Sequence, residues 1–529
     1  MVKPSSTLSF WIGLALVSAI GVVLTAYHAI KFGIPFADTA IYVEVGRNLL
    51  AGRGFITRFN MVQGWSGALS YPGLAYYCPL YGLVLGAVWW LVGDPGYVGV
   101  LATALPCCID AALLALLVRS TMGPVAALLS AIGYLLIPTT WISITLIGIE
   151  HPAVGIVLLC LLIVQYRVPH DANSWLWVGV LLGLGVLVKV SIALAWPGFI
   201  VAIGLTQNSS VKQRLRAGVL PVALLLAGIA LVLVPYEALC RLVVGDLYPS
   251  YAPTGQNWGL ATTFGGHFVA ASPAVQPDLA RLPSSSEKLA NMAANMWSML
   301  RWSTGELGLL TLTAVVVFVR GSDAARRLAT FLVCIGAFYA AGHGASGNWF
   351  RFASDPSIAA RYAIYTVAFW YPVGVYGLIL LGEWLITSVT VRGAVVVAVW
   401  ALVSIPIAVP LFKQFQTDAR LEQHRVTRVQ QVMQHCATLV GEDDLVAIAG
   451  GGMLIAGAVF LDRPAVALPQ GAMDTPLTMR EFIDVYHPAL VIPGNNRSSY
   501  EVLPQMGYQL RRIKELGGTP VFLRAAQHA

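Results

Sequence analysis

Apolar runs close to the roughly 20 residues that a bilayer core requires recur from Leu8 to Phe412. They fall at 8–30, 97–118, 122–142, 151–166, 175–189, 191–206, 217–238, 302–320, 327–343, 361–386 and 393–412. With the amino terminus inside, these eleven crossings put every short cytoplasmic turn on basic residues. The turns hold Arg119, Arg167, Lys212 with Arg214 and Arg216, Arg320 with Arg326 and Arg327, and Arg392. Such a bias is the mark of cytoplasmic loops. One more stretch, PLYGLVLGAVWWLV at 79–92, would reverse the pattern if counted, and it is short for a crossing. It is expected to lie in the outer interface with Trp89 and Trp90 at headgroup level, a twelfth crossing being the alternative. The first run follows only Lys3, exceeds a signal-peptide core and precedes no small-residue cleavage site, so it reads as a retained anchor.

This count leaves outer segments at 31–96, 241–301 and 343–360 within a membrane domain spanning 1–412. Interfacial helices are expected in the first of them. After residue 412 the pattern changes: 413–529 is charged and has no long apolar run. Strand-like DLVAIAG (444–450), AVALP (465–469), ALVIPG (489–494) and TPVFLRA (519–525) alternate with helical stretches such as TMREFIDVYH (478–487). The expected fold is an α-helical polytopic membrane protein with a small C-terminal extracytoplasmic α/β domain. The glycine cluster AGGGM (449–453) reads as a tight turn before a phosphate cradle.

Composition agrees with the pattern. Hydrophobic residues make up 57% of the 529 positions and charged ones 11%, with a mean hydropathy of +0.73. A soluble domain carries about 25% charged residues, so a water-soluble surface is excluded. Basic inner turns account for the net charge of +7 without any nucleic acid. Seven cysteines (78, 107, 108, 160, 240, 334 and 436) show no paired spacing and are expected to be small buried hydrophobes.

Against this apolar background a few polar residues stand out. Asp38 lies just beyond the first run and opens an amphipathic segment with Ile41, Val45 and Leu49 on one face. It could cap that helix or carry chemistry. Glu150 and His151 fall between two runs, on the outer side by the count above. Lys189 interrupts an apolar stretch (181–197), where a cation must snorkel or meet an anion. Asp110, the other intramembrane acid, receives no role beyond structural pairing.

Taken in order, these segments resemble the glycosyltransferase C superfamily, in the branch holding protein O-mannosyltransferases and lipid A aminoarabinose transferases. The family pattern of an acid after the first span, a tyrosine and A-R-N-L-x-x-G-x-G-F is met by Asp38, Tyr42 and GRNLLAGRGF. Its Pro-Leu-Tyr is met by Pro79, Leu80 and Tyr81, and its cytoplasmic Gly-Arg-like turn by 119–123. Its acid and proline between spans correspond to Glu150 and Pro152. G-L-L-x-G-L-x-x-L-x-K is approximated over 179–189, ending in Lys189, and a late Arg-Tyr pair stands at Arg361 and Tyr362. The resemblance covers about 8–400. Two departures matter: Asp38 is followed by Thr39 where the family often has a second acid, and Glu150 stands where Asp is usual.

The resemblance implies inverting transfer of a sugar from a polyprenyl-phosphate carrier to an extracytoplasmic acceptor, which could be a cell-envelope glycan, a lipid or a protein. Asp38 would be the catalytic base. Glu150, Lys189, Arg361, Tyr362, Tyr42 and Tyr81 would bind substrate, the cations meeting the leaving phosphate. Glu150, with His151, is also a candidate site for a divalent metal ion. A transporter or lipid flippase would explain the spans, Lys189 and Asp110, but not long outer loops carrying acids or an outer soluble tail; no internal repeat is seen. A non-catalytic membrane scaffold would leave the acids and Lys189 incidental.

The topology has a direct check. A cysteine introduced in 413–529 should react with an impermeant thiol reagent in intact cells. Protection until lysis would reverse the orientation.

Overall fold

A computed structural model describes residues 4–32, 38–53, 59–60, 78–145, 147–168, 171–206, 211–243, 285–304, 309–346, 356–449, 460–461, 463–468, 475–494, 496–513 and 518–525. The chain divides into two compact units. One comprises Met1–Gly33, Asp94–Leu239 and Pro283–Asp418; the other comprises Ile34–Gly93, Cys240–Leu282 and Ala419–Ala529. The segments 34–93 and 240–282 therefore group with the tail, and not with the membrane domain expected over 1–412.

In chain order the first elements are α1 (Pro4–Phe32), α2 (Asp38–Leu50), β1 (Phe59–Asn60), α3 (Pro79–Val92) and α4 (Pro95–Gly99). A π-helical stretch leads from α4 into α5 (Leu105–Met122), followed by α6 (Pro124–Leu136), α7 (Pro138–Thr145), α8 (Glu150–Tyr166) and α9 (Ser174–Val188). Then come α10 (Ala195–Leu205), α11 (Val211–Val243), α12 (Ser285–Thr304), α13 (Leu309–Arg320), α14 (Asp323–Ser346), α15 (Pro356–Leu385) and α16 (Val389–Ala437). Local sequence sets many of these ends. Asp94 caps α4, its carboxylate accepting from the N–H groups of Gly96 (2.7 Å) and Tyr97 (3.3 Å). Gly123, at φ 91, and Pro124 separate α5 from α6. Pro138 parts α6 from α7, leaving Ile137 extended.

Among the described residues, five helical stretches are long and apolar enough to cross a membrane: Leu8–Lys31, Gly96–Met122, Gly218–Leu242, Asp323–His343 and Ala363–Leu385. The protein is a mostly helical, multi-pass membrane protein. Other expected crossings fall on shorter apolar helices, among them α6, α8, α9 and the stretch Val190–Leu205. The run expected at 302–320 includes 305–308, which lie outside the described residues; its described parts are the end of α12, to Thr304, and α13, from Leu309. The one expected at 393–412 lies inside the 49-residue α16. Cys334 is half-buried and the other six cysteines are buried, all without disulfides.

In the second unit, β2 (Val446–Ile448), β3 (Ala465–Ala467), β4 (Leu490–Ile492), β5 (Tyr508–Ile513) and β6 (Thr519–Arg524) join β1 in a sheet of order β1-β3-β2-β4-β6-β5. The pairs from β1 to β4 are parallel; β6 and β5 add an antiparallel edge. Met479, Phe482 and Ile483, from the helix Pro476–Tyr486, pack with Val466, Val491 and Phe522 in its core. Thr475 caps that helix by accepting from the Thr478 N–H. Four strands coincide with expected segments; β1 and β5 were not expected. Of the AGGGM cluster, 450–453 lies outside the described residues.

The 79–92 stretch is a 14-residue helix begun by Pro79 and ended by Gly93 at φ 64. It crosses α2 at glycine-to-glycine distance: a Cβ on Gly46 would overlap the Gly82 carbonyl oxygen and crowd the Gly86 backbone. Gly46→Ala is therefore expected to destabilise the protein by about 1–3 kcal/mol through overpacking. A melting curve of the purified variant checks this; an unshifted curve would remove the contact.

Candidate active site

The site grows from a break in a helix. α9 ends where Lys189 takes an extended conformation (φ −150°, ψ 120°), and the chain resumes as the 3₁₀ turn Val190–Leu194. The break directs the Lys189 ammonium to Glu150, where Nζ donates to Oε1 at 2.8 Å. Glu150 is wholly buried and Lys189 is 9% exposed. Lys189 thus finds an anion inside the protein and does not snorkel to an open span end.

The turn before α8 shapes itself around the Glu150 carboxylate. Ile147 adopts φ 49, and the Gly148 N–H donates to the Ser143 carbonyl at 2.7 Å. A Cβ on Gly148 would meet Glu150 Oε2, so the carboxylate lies directly against this glycine. Ser143 Oγ donates to the same Oε2 at 3.2 Å. Removing one member of a buried ion pair strands the other, at a cost of about 3–5 kcal/mol.

Aromatic rings flank the cation. Lys189 Nζ stands 5.7 Å from the Tyr365 ring centroid, a cation–π arrangement. Tyr365 stacks on Tyr339 at 4.4 Å with an interplanar angle of 6°, and His343 lies against both rings.

A second polar group forms on the far side of the first turn of α8. Tyr134 Oη donates to Asp110 Oδ2 at 3.0 Å and lies 3.1 Å from His151 Nδ1. His151 Nδ1 is 3.4 Å from Asp110 Oδ2, and Nε2 faces the Thr140 carbonyl at 3.3 Å. Sequence spacing hid this group. Asp110 was visible as an acid within an apolar run, whereas nothing marks Tyr134 or Ser143 in the sequence.

The structure therefore brings Glu150 and Lys189 together. Glu150 and His151 engage different partners, and no group of three or more His, Cys, Asp or Glu able to hold a metal ion occurs among the described residues. Tyr42 and Tyr81 meet edge to face at 5.5 Å, within the unit that also contains Asp38. Asp38 opens α2, and Arg361 with Tyr362 lies on α15; these three side chains fall outside the described ones.

The fold has known counterparts. Residues 77–235 match the family model described as dolichyl-phosphate-mannose-protein mannosyltransferase, a match over less than half of the chain. Among solved structures, ArnT from Cupriavidus metallidurans bound to undecaprenyl phosphate aligns with a TM-score of 0.59 at 13% identity, covering 98% of both chains. Its apo state gives 0.58 at 14%, over 98% of this chain and 99% of that one. The apo oligosaccharyltransferase of Archaeoglobus fulgidus gives 0.50 at 12%, over 97% of this chain and 75% of the other. No curated protein matches in sequence. The chain shares its fold with ArnT and with the archaeal oligosaccharyltransferase.

Proposed function

We propose that the protein is an inverting glycosyltransferase that moves a sugar from a polyprenyl-phosphate carrier to an extracytoplasmic acceptor, a cell-envelope glycan, lipid or protein. The observation that carries this reading is the buried Lys189–Glu150 pair at a helix break within a glycosyltransferase C fold. In inverting transfer an acceptor oxygen attacks C1 as the C1–O bond to the carrier phosphate breaks. The acceptor proton goes to a base, and charge builds on the departing polyprenyl phosphate. Lys189 spends one N–H on Glu150 and has two more to offer that phosphate. In surroundings of low polarity such a fixed cation is worth far more than in water. Arg361 would add a second cation. Tyr42, Tyr81 and Tyr362 would line the substrate, and Asp38 would take the proton. The complex of ArnT with undecaprenyl phosphate supports a carrier of this class.

Purified protein incubated with a panel of polyprenyl-phosphate sugars should release free carrier; release from none of them would sink the reading. Lys189→Ala should weaken donor binding strongly, with Lys189→Arg retaining part of it as a charge. Unchanged donor affinity in the alanine variant would leave Lys189 a structural partner of Glu150.

Asp38→Asn separates chemistry from capping. An asparagine caps a helix nearly as well as an aspartate, so a capping role predicts near-normal activity and a stability loss of about 1 kcal/mol at most. A base role predicts that turnover falls by about 10²-fold or more with folding and donor binding intact. Turnover within a few-fold of the unaltered protein would shift the role of base to Glu150.

A further inference from the structure

We propose that Asp110, Tyr134 and His151 are positioning residues: together they fix the first turn of α8 and so hold the Glu150 carboxylate on the Lys189 ammonium. The proposal deepens the reading of Lys189 as the group that meets the carrier phosphate, and rests on it.

Four helices supply the parts. Asp110 comes from α5, Tyr134 from α6, the Thr140 carbonyl from α7 and His151 from α8. His151 follows Glu150 directly, so the two share one helical turn. Its imidazole is engaged at both nitrogens, Nδ1 by Tyr134 and Asp110 and Nε2 by the Thr140 carbonyl. A ring held at both nitrogens cannot swing, and through its Cα it fixes the rotation of the helix start that carries Glu150.

The same group governs the other donor to Glu150. Thr140 Oγ1 donates to the Tyr134 carbonyl at 2.6 Å, tying α7 to the end of α6. Ser143 stands on that tied helix and donates to Glu150 Oε2. One turn into α8, a Cβ on Gly155 would come 2.6 Å from Asp110 Oδ1, so glycine is what lets the helix lie against the acid. Asp110, Tyr134 and His151 are all buried. Apolar side chains of similar volume would fill this space as stably; polar ones add a direction, and here that direction leads to Glu150.

The test uses the full-length protein in detergent and needs no carrier for its first readout. The rate at which a small amine-acylating reagent modifies Lys189 is followed by peptide mass spectrometry. Tyr134→Phe should raise that rate by about tenfold, the scale set by one buried hydrogen bond. Glu150→Gln should raise it at least as much, and adding Tyr134→Phe to Glu150→Gln should raise it no further, because both act through one contact. Thr313→Val deletes a buried hydroxyl bond from α13 to the Gly374 carbonyl of α15 and should leave the rate unchanged. The proposal falls if folded Tyr134→Phe modifies at the normal rate, if its effect adds to that of Glu150→Gln, or if Thr313→Val does the same. Should Tyr134→Phe not fold, Asp110→Asn takes its place with the same expectations.

The second readout is binding of undecaprenyl phosphate, which Tyr134→Phe should weaken only where Glu150 is intact. If the unaltered protein binds no undecaprenyl phosphate while the modification rates behave as stated, the carrier reading falls and the positioning role stands. If the rates do not respond, the positioning role falls whatever the carrier does.

Discussion

An ammonium group surrounded by apolar side chains must find an anion, and in this protein the anion for Lys189 is Glu150. Much of the local architecture is arranged around that necessity. α9 stops one residue short of Lys189 so that the side chain leaves the helix in the right direction. The turn before α8 holds Ile147 in a left-handed conformation and sets Gly148 directly against the carboxylate. Ser143, Tyr365 and the Asp110 group then complete the surroundings. A site made this way has its electrostatics fixed before any ligand arrives, which is the condition under which a cation stabilises developing charge most effectively.

Holding such a pair requires helices that do not slide. In lipid the hydrophobic effect does not press helices together, so close approach at small residues takes its place. Gly179 and Gly228 bring α9 and α11 to backbone contact, while Gly374 and Gly377 seat α15 against Leu310 and Thr313 of α13. Thr313 donates across the same seam to the Gly374 carbonyl at 2.8 Å. Close contacts of this kind leave little play between the helices that meet there.

How much was legible beforehand depended on range. Lys189 announced itself because one charge in an apolar run is conspicuous, and Glu150 because it stood between two such runs; their pairing did not, since it joins residues far apart in sequence. Tyr134 looked like any tyrosine in an apolar helix, and its role exists only through partners on α5 and α8. The strand β5 was missed for a different reason. Its YQLRRI sequence buries only its two end residues and presents charge between them, as an edge strand can when its outer face is wet.

The strand β1 carries a consequence for how the chain is made. Phe59 pairs with Ala465 and Asn60 with Val466, so a sheet whose other members all come from the tail takes one edge from the beginning of the chain. The early strand leaves the ribosome long before its partner exists, and most of the apolar helices are synthesised in between. Loop closure over such a distance is slow and entropically costly. Completion of this edge is therefore a late event in biogenesis, reached only by a polypeptide translated through its last helices. A chain truncated in the membrane region can form its early helices, but it leaves 59–60 with no strand to join.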